Sequence, residues 1–133
     1  MRFDTGRITP EYRQTLKDGV DVEAEEARSR FITSGAGQAL EYEQGRQEAI
    51  AYRDAGYPTP IDAALYPFTK AQMDAYAQTP QVAADTIIAQ SVAWTAAAAT
   101  IKRLRLTAKV AVDAATSMAA ARSAVTGIPW PTP

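Results

Sequence analysis

The stretch TPQVAADTIIAQSVAWTAAAATIKRLRLTAKVAVDAA, residues 79–115, decides the fold. Thr79-Pro80 is the strongest helix start in the chain. A hydroxyl that can accept an orphan backbone N–H stands just before a proline, whose missing N–H costs nothing at the first helical position. No glycine and no further proline follows before Ala115, which predicts one helix of about 35 residues, roughly 53 Å long at 1.5 Å per residue. Within it Ile87, Trp94, Ile101, Ala108 and Ala115 recur every seven positions, and Ala84, Ser91, Ala98, Arg105 and Val112 form a companion row. The alternating steps of three and four make a coiled-coil-like seam. The seam is rich in alanine, so a neighbouring helix can approach closely, from the same chain or from another copy. Ile87, Trp94, Ile101 and Ala108 are therefore the candidates for self-association.

Working outward toward the C-terminus, a short helix is expected from about Ser117 to Thr126, closed by Gly127. Ile128-Pro129-Trp130-Pro131-Thr132-Pro133 then forms an extended, Pro-rich tail. Trp130, held between two prolines, either folds back on the helices or fills a partner's pocket as a rigid aromatic anchor.

In the other direction, helices are expected over Pro67–Gln78 and about Ala36–Ala55, with a short helical piece from Ile61. Tyr57-Pro58-Thr59-Pro60 forms a corner that no helix can continue through. Gly45 in the middle of its helix costs about 1 kcal/mol relative to Ala unless something packs closely against it. Thr33-Ser34-Gly35-Ala36-Gly37 separates that helix from an earlier one, which is expected to open near Asp21 and to bury Val20, Ala24, Ala27 and Phe31 as one stripe. Residues 1–19 show no period. They are expected either as an extended arm or as a frayed terminus, and in the first case Phe3, Ile8 and Tyr12 are its docking residues. The reading is all-α: a helical bundle over 20–133 with one long helix, an extended N-terminal arm over 1–19 and the Pro-rich tail.

Composition narrows the chemistry. The 133 residues suffice for one domain-sized core. Fourteen basic and fifteen acidic side chains nearly cancel, with residues 1–56 at net −3 and 57–133 at net +2. Neither part has the basic excess of a nucleic-acid binder, so none is expected as a partner. The chain has no Cys and no His, which removes disulfides, thiol nucleophiles, Cys/His zinc sites and His-based catalytic pairs. No unbroken run of about 18 apolar residues occurs, so no membrane span is expected. The opening residues lack the apolar stretch of a signal peptide.

Three features could carry chemistry, and each has a plainer reading. Gly35-Ala36-Gly37-Gln38-Ala39-Leu40 begins like a dinucleotide loop, but Leu40 stands where a glycine belongs and a helix, not a strand, precedes it. It reads as a linker. Glu41, Glu43 and Glu48 share a helix without being forced onto its apolar face, so no acid–base pair emerges. Lys102, Arg103, Arg105 and Lys109 form a basic cluster with no aromatic residue among them. It reads as a solvated rim, with Arg105 laid along the seam by its apolar stem, or as a surface for acidic residues such as the 21–26 segment of another copy. No enzyme, cofactor or metal is expected.

Three stretches together resemble a family. Arg28-Ser29-Arg30-Phe31-Ile32-Thr33-Ser34-Gly35-Ala36-Gly37-Gln38-Ala39-Leu40-Glu41-Tyr42 resembles the opening of small helical proteins encoded among the tail genes of tailed bacteriophages. The helix carrying Trp94, Ile101, Leu104-Arg105 and Ala108-Lys109 resembles their second half. The closing Ile128-Pro129-Trp130-Pro131 is similar to the Trp-Pro ending of phage tail-fibre assembly proteins. The resemblance covers about residues 24–133 and brings no catalytic residues with it. It implies a virion structural protein of the tail tip, a tail-fibre or baseplate-associated module whose partners are other tail proteins. It also implies a homo-oligomer, with a trimer favoured because such fibres are commonly three-fold. The alternative it implies is a fibre assembly chaperone, present in the host cytoplasm during assembly and not retained in the particle.

Overall fold

The computed structural model describes residues 7–32 and 36–133. Five α-helices account for the regular structure: α1 (Pro10–Ser29), α2 (Ala36–Asp54), α3 (Pro67–Tyr76), α4 (Pro80–Ala114) and α5 (Met118–Ala124), with no strand among the described residues. The all-α class and the single 35-residue helix follow the sequence expectation. Thr79 caps α4 as its side chain predicts, its Oγ1 accepting the Val82 N–H at 3.3 Å. Ser117 does the same for α5, accepting from Ala120 at 3.1 Å. Gly56 and Gly127 take positive φ values of 85° and 66° after α2 and α5, backbone conformations that a side chain disfavours.

The N-terminal expectation needs correction. Residues 10–19 are not an extended arm but the first half of α1. Thr9-Pro10 carries the same start signal as Thr79-Pro80. Thr9 Oγ1 accepts the Tyr12 N–H at 3.1 Å, with Pro10 in the first turn. Asp21 therefore lies mid-helix rather than at a cap, and a boundary between residues 19 and 20 would cut α1. Asp18-Gly19 does not end the helix, because nothing forces a left-handed residue there and the packing on either side continues. Phe3 lies outside the described residues. The short helical piece from Ile61 is instead a turn, held by Asp62 Oδ1 accepting the Ala64 N–H at 2.9 Å.

The chain divides into two compact units. Unit 1 combines α1 with residues 97–133, that is the C-terminal part of α4, α5 and the tail. Its α1 runs antiparallel to that part of α4, since contacts of rising number on α1 meet falling numbers on α4. Arg13 and Lys17 reach Val112 and Asp113, Asp21 reaches Lys109 and Arg105, and Ala24 and Ala27 pack on Ile101. Val20, Ala24, Ala27, Ile101, Val112 and Ala121 have no exposed surface. Alanine on the α1 side lets the two backbones come close, and Ile101 fills the space between them. Phe31 and Trp130 close the edge of this core.

Unit 2 spans residues 32–96, with α2, α3 and the N-terminal part of α4. Its core is Ala49, Tyr52 and Ala84, with Tyr57, Ile61, Tyr66, Ile87 and Ile88 packed against it. Tyr52 is fully buried and its phenol donates to the Pro58 carbonyl at 2.8 Å. The rings of Tyr57 and Tyr66 meet it edge-on at centroid distances of 5.8 and 4.9 Å, a favoured aromatic geometry. Tyr52 thus anchors the corner that ends α2.

Candidate functional site

The charged groups that looked most available in the sequence are largely taken up inside the chain. Asp21, half-buried on the side of α1 that meets α4, accepts from Lys109 Nζ at 2.9 Å and from Arg105 at 3.3 Å. The hydrogen bond from Lys109, with a smaller one from Arg105, holds its carboxyl below the usual carboxylate range against the opposing effect of burial. The acidic partner expected for the basic cluster is therefore in the 21–26 segment, but of the same chain. Lys17 pairs with Asp113 at 3.0 Å. The Arg13 guanidinium donates to the Val112 and Asp113 carbonyls and, at 2.9 Å, to that of Ala115. Val112 and Asp113 lie in the last turn of α4, whose carbonyls lack the regular helical partner, and Ala115 follows the helix; the Val112 carbonyl also accepts the Ala115 N–H at 3.3 Å. Of the cluster, Lys102 and Arg103 remain exposed with no hydrogen bond or ion pair among the described residues.

Two of the three glutamates of α2 also have structural work, while Glu41 is exposed. Glu43 accepts from Arg46 at 2.6 Å and from Gln47 at 3.1 Å, and the Arg46 bond holds its carboxyl below the ordinary value. Glu48 accepts the N–H groups of Phe68 and Thr69 at 3.1 and 2.6 Å. It caps α3 from a distance, supplying what Tyr66, at the capping position, does not. Tyr57 donates to Asp85 at 2.6 Å, and that bond raises its phenol above the usual tyrosine value. Burial raises the phenol of Tyr42 likewise. No group of three or more acidic side chains that could hold a metal occurs among the described residues.

Of the residues singled out from the sequence, Ile101 and Ala108 lie in unit 1, at 0% and 5% exposure. Ile87 and Trp94 are half-buried in unit 2. Ile101 is enclosed by Ala24, Ala27, Phe31 and Trp130 of its own chain, and Ile87 packs on the Tyr52 cluster. Ile101 and Ala108 are thus taken up inside unit 1, and Ile87 in part by the Tyr52 cluster. Tyr12, in the first turn of α1, and Ile8, just before its Thr9 cap, are half-buried. Trp130 folds back: its ring packs on the unit 1 core and its Nε1 donates to Glu23 at 3.2 Å. It is spent on its own chain rather than held out for a partner.

The surface that the seven-residue reading passed over lies on the other side of α4. Val82, Val92, Leu106 and Val110 are 49%, 63%, 43% and 67% exposed, and Ala89, Ala96 and Ala99 between them are exposed too. At 100° per residue this row sits roughly 170° around the helix from the buried seam. The signal was present as a second apolar periodicity, masked by the stronger Ile/Trp row. Averaged over 18 residues rather than read as an unbroken run, α4 is apolar enough to cross a membrane by length and composition alone, and 22% of that window is buried. Comparison with protein-family models, with curated proteins and with solved structures finds no match to this chain.

Proposed function

We propose that this protein is a structural assembly component of a bacteriophage tail, a tail-fibre or baseplate-associated helical module rather than an enzyme. The observation that carries the reading is the two-sided character of α4. One side is satisfied by the chain's own helices, while the other presents valines and a leucine to solvent along a 35-residue helix. Exposed apolar rows of this kind mark interaction surfaces. The resemblance of residues 28–42, of the α4 motif and of the Trp-Pro ending to phage tail-associated proteins supplies the context. In this reading the partners are other tail proteins and further copies, and the protein resides in the virion tail. In the same reading Phe3, Ile8 and Tyr12 contribute to docking.

The test is mass spectrometry of purified particles of the phage that encodes the chain, with the clarified lysate as comparison. Recovery in the particle at several copies per tail supports the structural role. Abundance in the lysate with absence from the particle assigns the alternative, an assembly chaperone. Encoding by a genome with no tail genes refutes both.

A further inference from the structure

The exposed row of α4 carries a charge pattern that its apolar residues alone do not explain. Asp85 and Arg103 lie on this row and are exposed. Asp85 accepts only the Tyr57 phenol, and Arg103 has no partner among the described residues. The two charges are opposite in sign and equidistant from position 94, and Val82, Ala89, Val92, Ala96, Ala99 and Leu106 are disposed in pairs about the same point. When two copies of the helix lie antiparallel about a two-fold axis level with residue 94, Val82 meets Leu106 and Asp85 meets Arg103. Ala89 then meets Ala99, and Val92 meets Ala96. Each of these four layers joins two apolar side chains or two opposite charges, and the symmetry repeats each layer on the other side of the axis; Val110 lies beyond them, because its counterpart, position 78, precedes α4. Such self-complementarity is what an isologous interface requires. A parallel pairing would instead set Asp85 on Asp85 and Arg103 on Arg103, two like-charge contacts that disfavour it.

We infer that the Val82–Leu106 face of α4 is a homodimer interface, in which a second copy of this chain docks antiparallel and forms two Asp85–Arg103 ion pairs. The alanines at 89, 96 and 99 let the two backbones approach closely, Val92 closes the centre, and Val82 with Leu106 seals each end. The overlap spans roughly 36 Å at 1.5 Å per residue. The buried seam through Ile87 and Ile101 faces away from this contact, so dimerisation leaves the packing of each unit untouched. This inference deepens the assembly reading by naming one partner, but it is tested on the purified chain alone. Its failure therefore leaves the detection of the protein in virions unaffected.

The chain has no cysteine, so single thiols report geometry directly. Ala89→Cys and Ala99→Cys are made separately and oxidised at tens of micromolar, each alone and then mixed. The mixture is expected to give a disulfide-linked dimer joining position 89 to position 99, while each variant alone gives little. Efficient linkage of either variant to itself would show a parallel arrangement and overturn the proposal. A second measurement does not depend on oxidation. Asp85→Arg and Arg103→Asp are each expected to weaken the dimer about tenfold, since each removes two ion pairs worth several-fold apiece. Mixing the two variants restores the affinity, because all four charges are then matched. Arg103→Asp disturbs no internal bond, which covers the case in which Asp85→Arg unsettles Tyr57. A monomer or trimer mass by light scattering, reversals without effect, or association found only with phosphatidylglycerol vesicles would each overturn the inference.

Discussion

Ile101 is where removing the fewest atoms is expected to cost unit 1 the most. Its side chain has no exposed surface and is enclosed by Ala24, Ala27, Phe31 and Trp130. Replacing it by Ala leaves a cavity whose α1 wall consists of two methyl groups fixed to a helix backbone. Those methyls cannot swing into the space. Burial of this kind costs about 2–5 kcal/mol on truncation, depending on how far the site collapses. Phe31 and Trp130 sit at the rim, and the tail carrying Trp130 can shift inward, which relieves part of the cavity. The expected loss is thus about 3 kcal/mol, toward the middle of the range. Against a total of about 5–15 kcal/mol this is a large fraction.

Urea unfolding followed by tryptophan emission measures that loss. The chain has two tryptophans, and Trp94 lies in unit 2, so a Trp94→Phe background isolates Trp130 as the reporter of unit 1. With a slope of about 2 kcal/mol per molar urea, Ile101→Ala should lower the midpoint by about 1.5 M, and the Trp130 emission should shift to the red as the ring loosens. A loss below about 1 kcal/mol together with unchanged Trp130 emission would refute this account of the core. It would mean that Trp130 does not rest on Ile101 and that α1 is held by its polar contacts alone.

Asp21→Asn removes the ion pairs with Lys109 and Arg105. Because Asp21 is 44% exposed, the cost is at most about 1 kcal/mol, shrinking in 1 M salt, as thermal unfolding at two ionic strengths will show. The Asp21 carboxyl is lowered in the folded state, so its stabilisation is complete above the ordinary carboxylate value of about 3.9 and is lost as the pH falls through the lower folded value. The wild type should lose this increment in acid, while Asp21→Asn should not. Gly45→Ala should stabilise unit 2 by about 0.5–1 kcal/mol, because the added Cβ meets Phe68 at an ordinary 3.7 Å; a lower melting temperature would show that Phe68 cannot yield. Glu48→Ala strips the cap from α3 and should cost about 1 kcal/mol, with faster amide exchange at Phe68 and Thr69 as the local sign.

The sequence by itself determined where most helices begin and end. Thr79-Pro80, Tyr66-Pro67, Ser117, Gly56 and Gly127 act through backbone chemistry within a few residues, and such signals do not depend on the rest of the chain. Thr9-Pro10 belongs to the same class and is legible too, although no apolar period in residues 1–19 accompanies it. The first half of α1 is held to the end of α4 largely by the polar reach of Arg13 and Lys17, which no hydrophobic pattern reveals. Periodicity likewise identified the residues that share the inner face of α4.

What covers that face was decided only in three dimensions. A row such as Ile87, Trp94 and Ile101 can be met equally by a second copy or by a helix of the same chain. The outcome turned on which helices share a unit, α1 with residues 97–114 and α2 and α3 with residues 80–96. The same folding paired Arg105 and Lys109 with Asp21 and returned Trp130 to Glu23. With the inner row occupied, the weaker outer row of Val82, Val92, Leu106 and Val110 became the exposed one. Helical spacing is local and can be read along the chain, whereas the partner of each face is set by contacts between residues tens of positions apart, which only the folded backbone brings together.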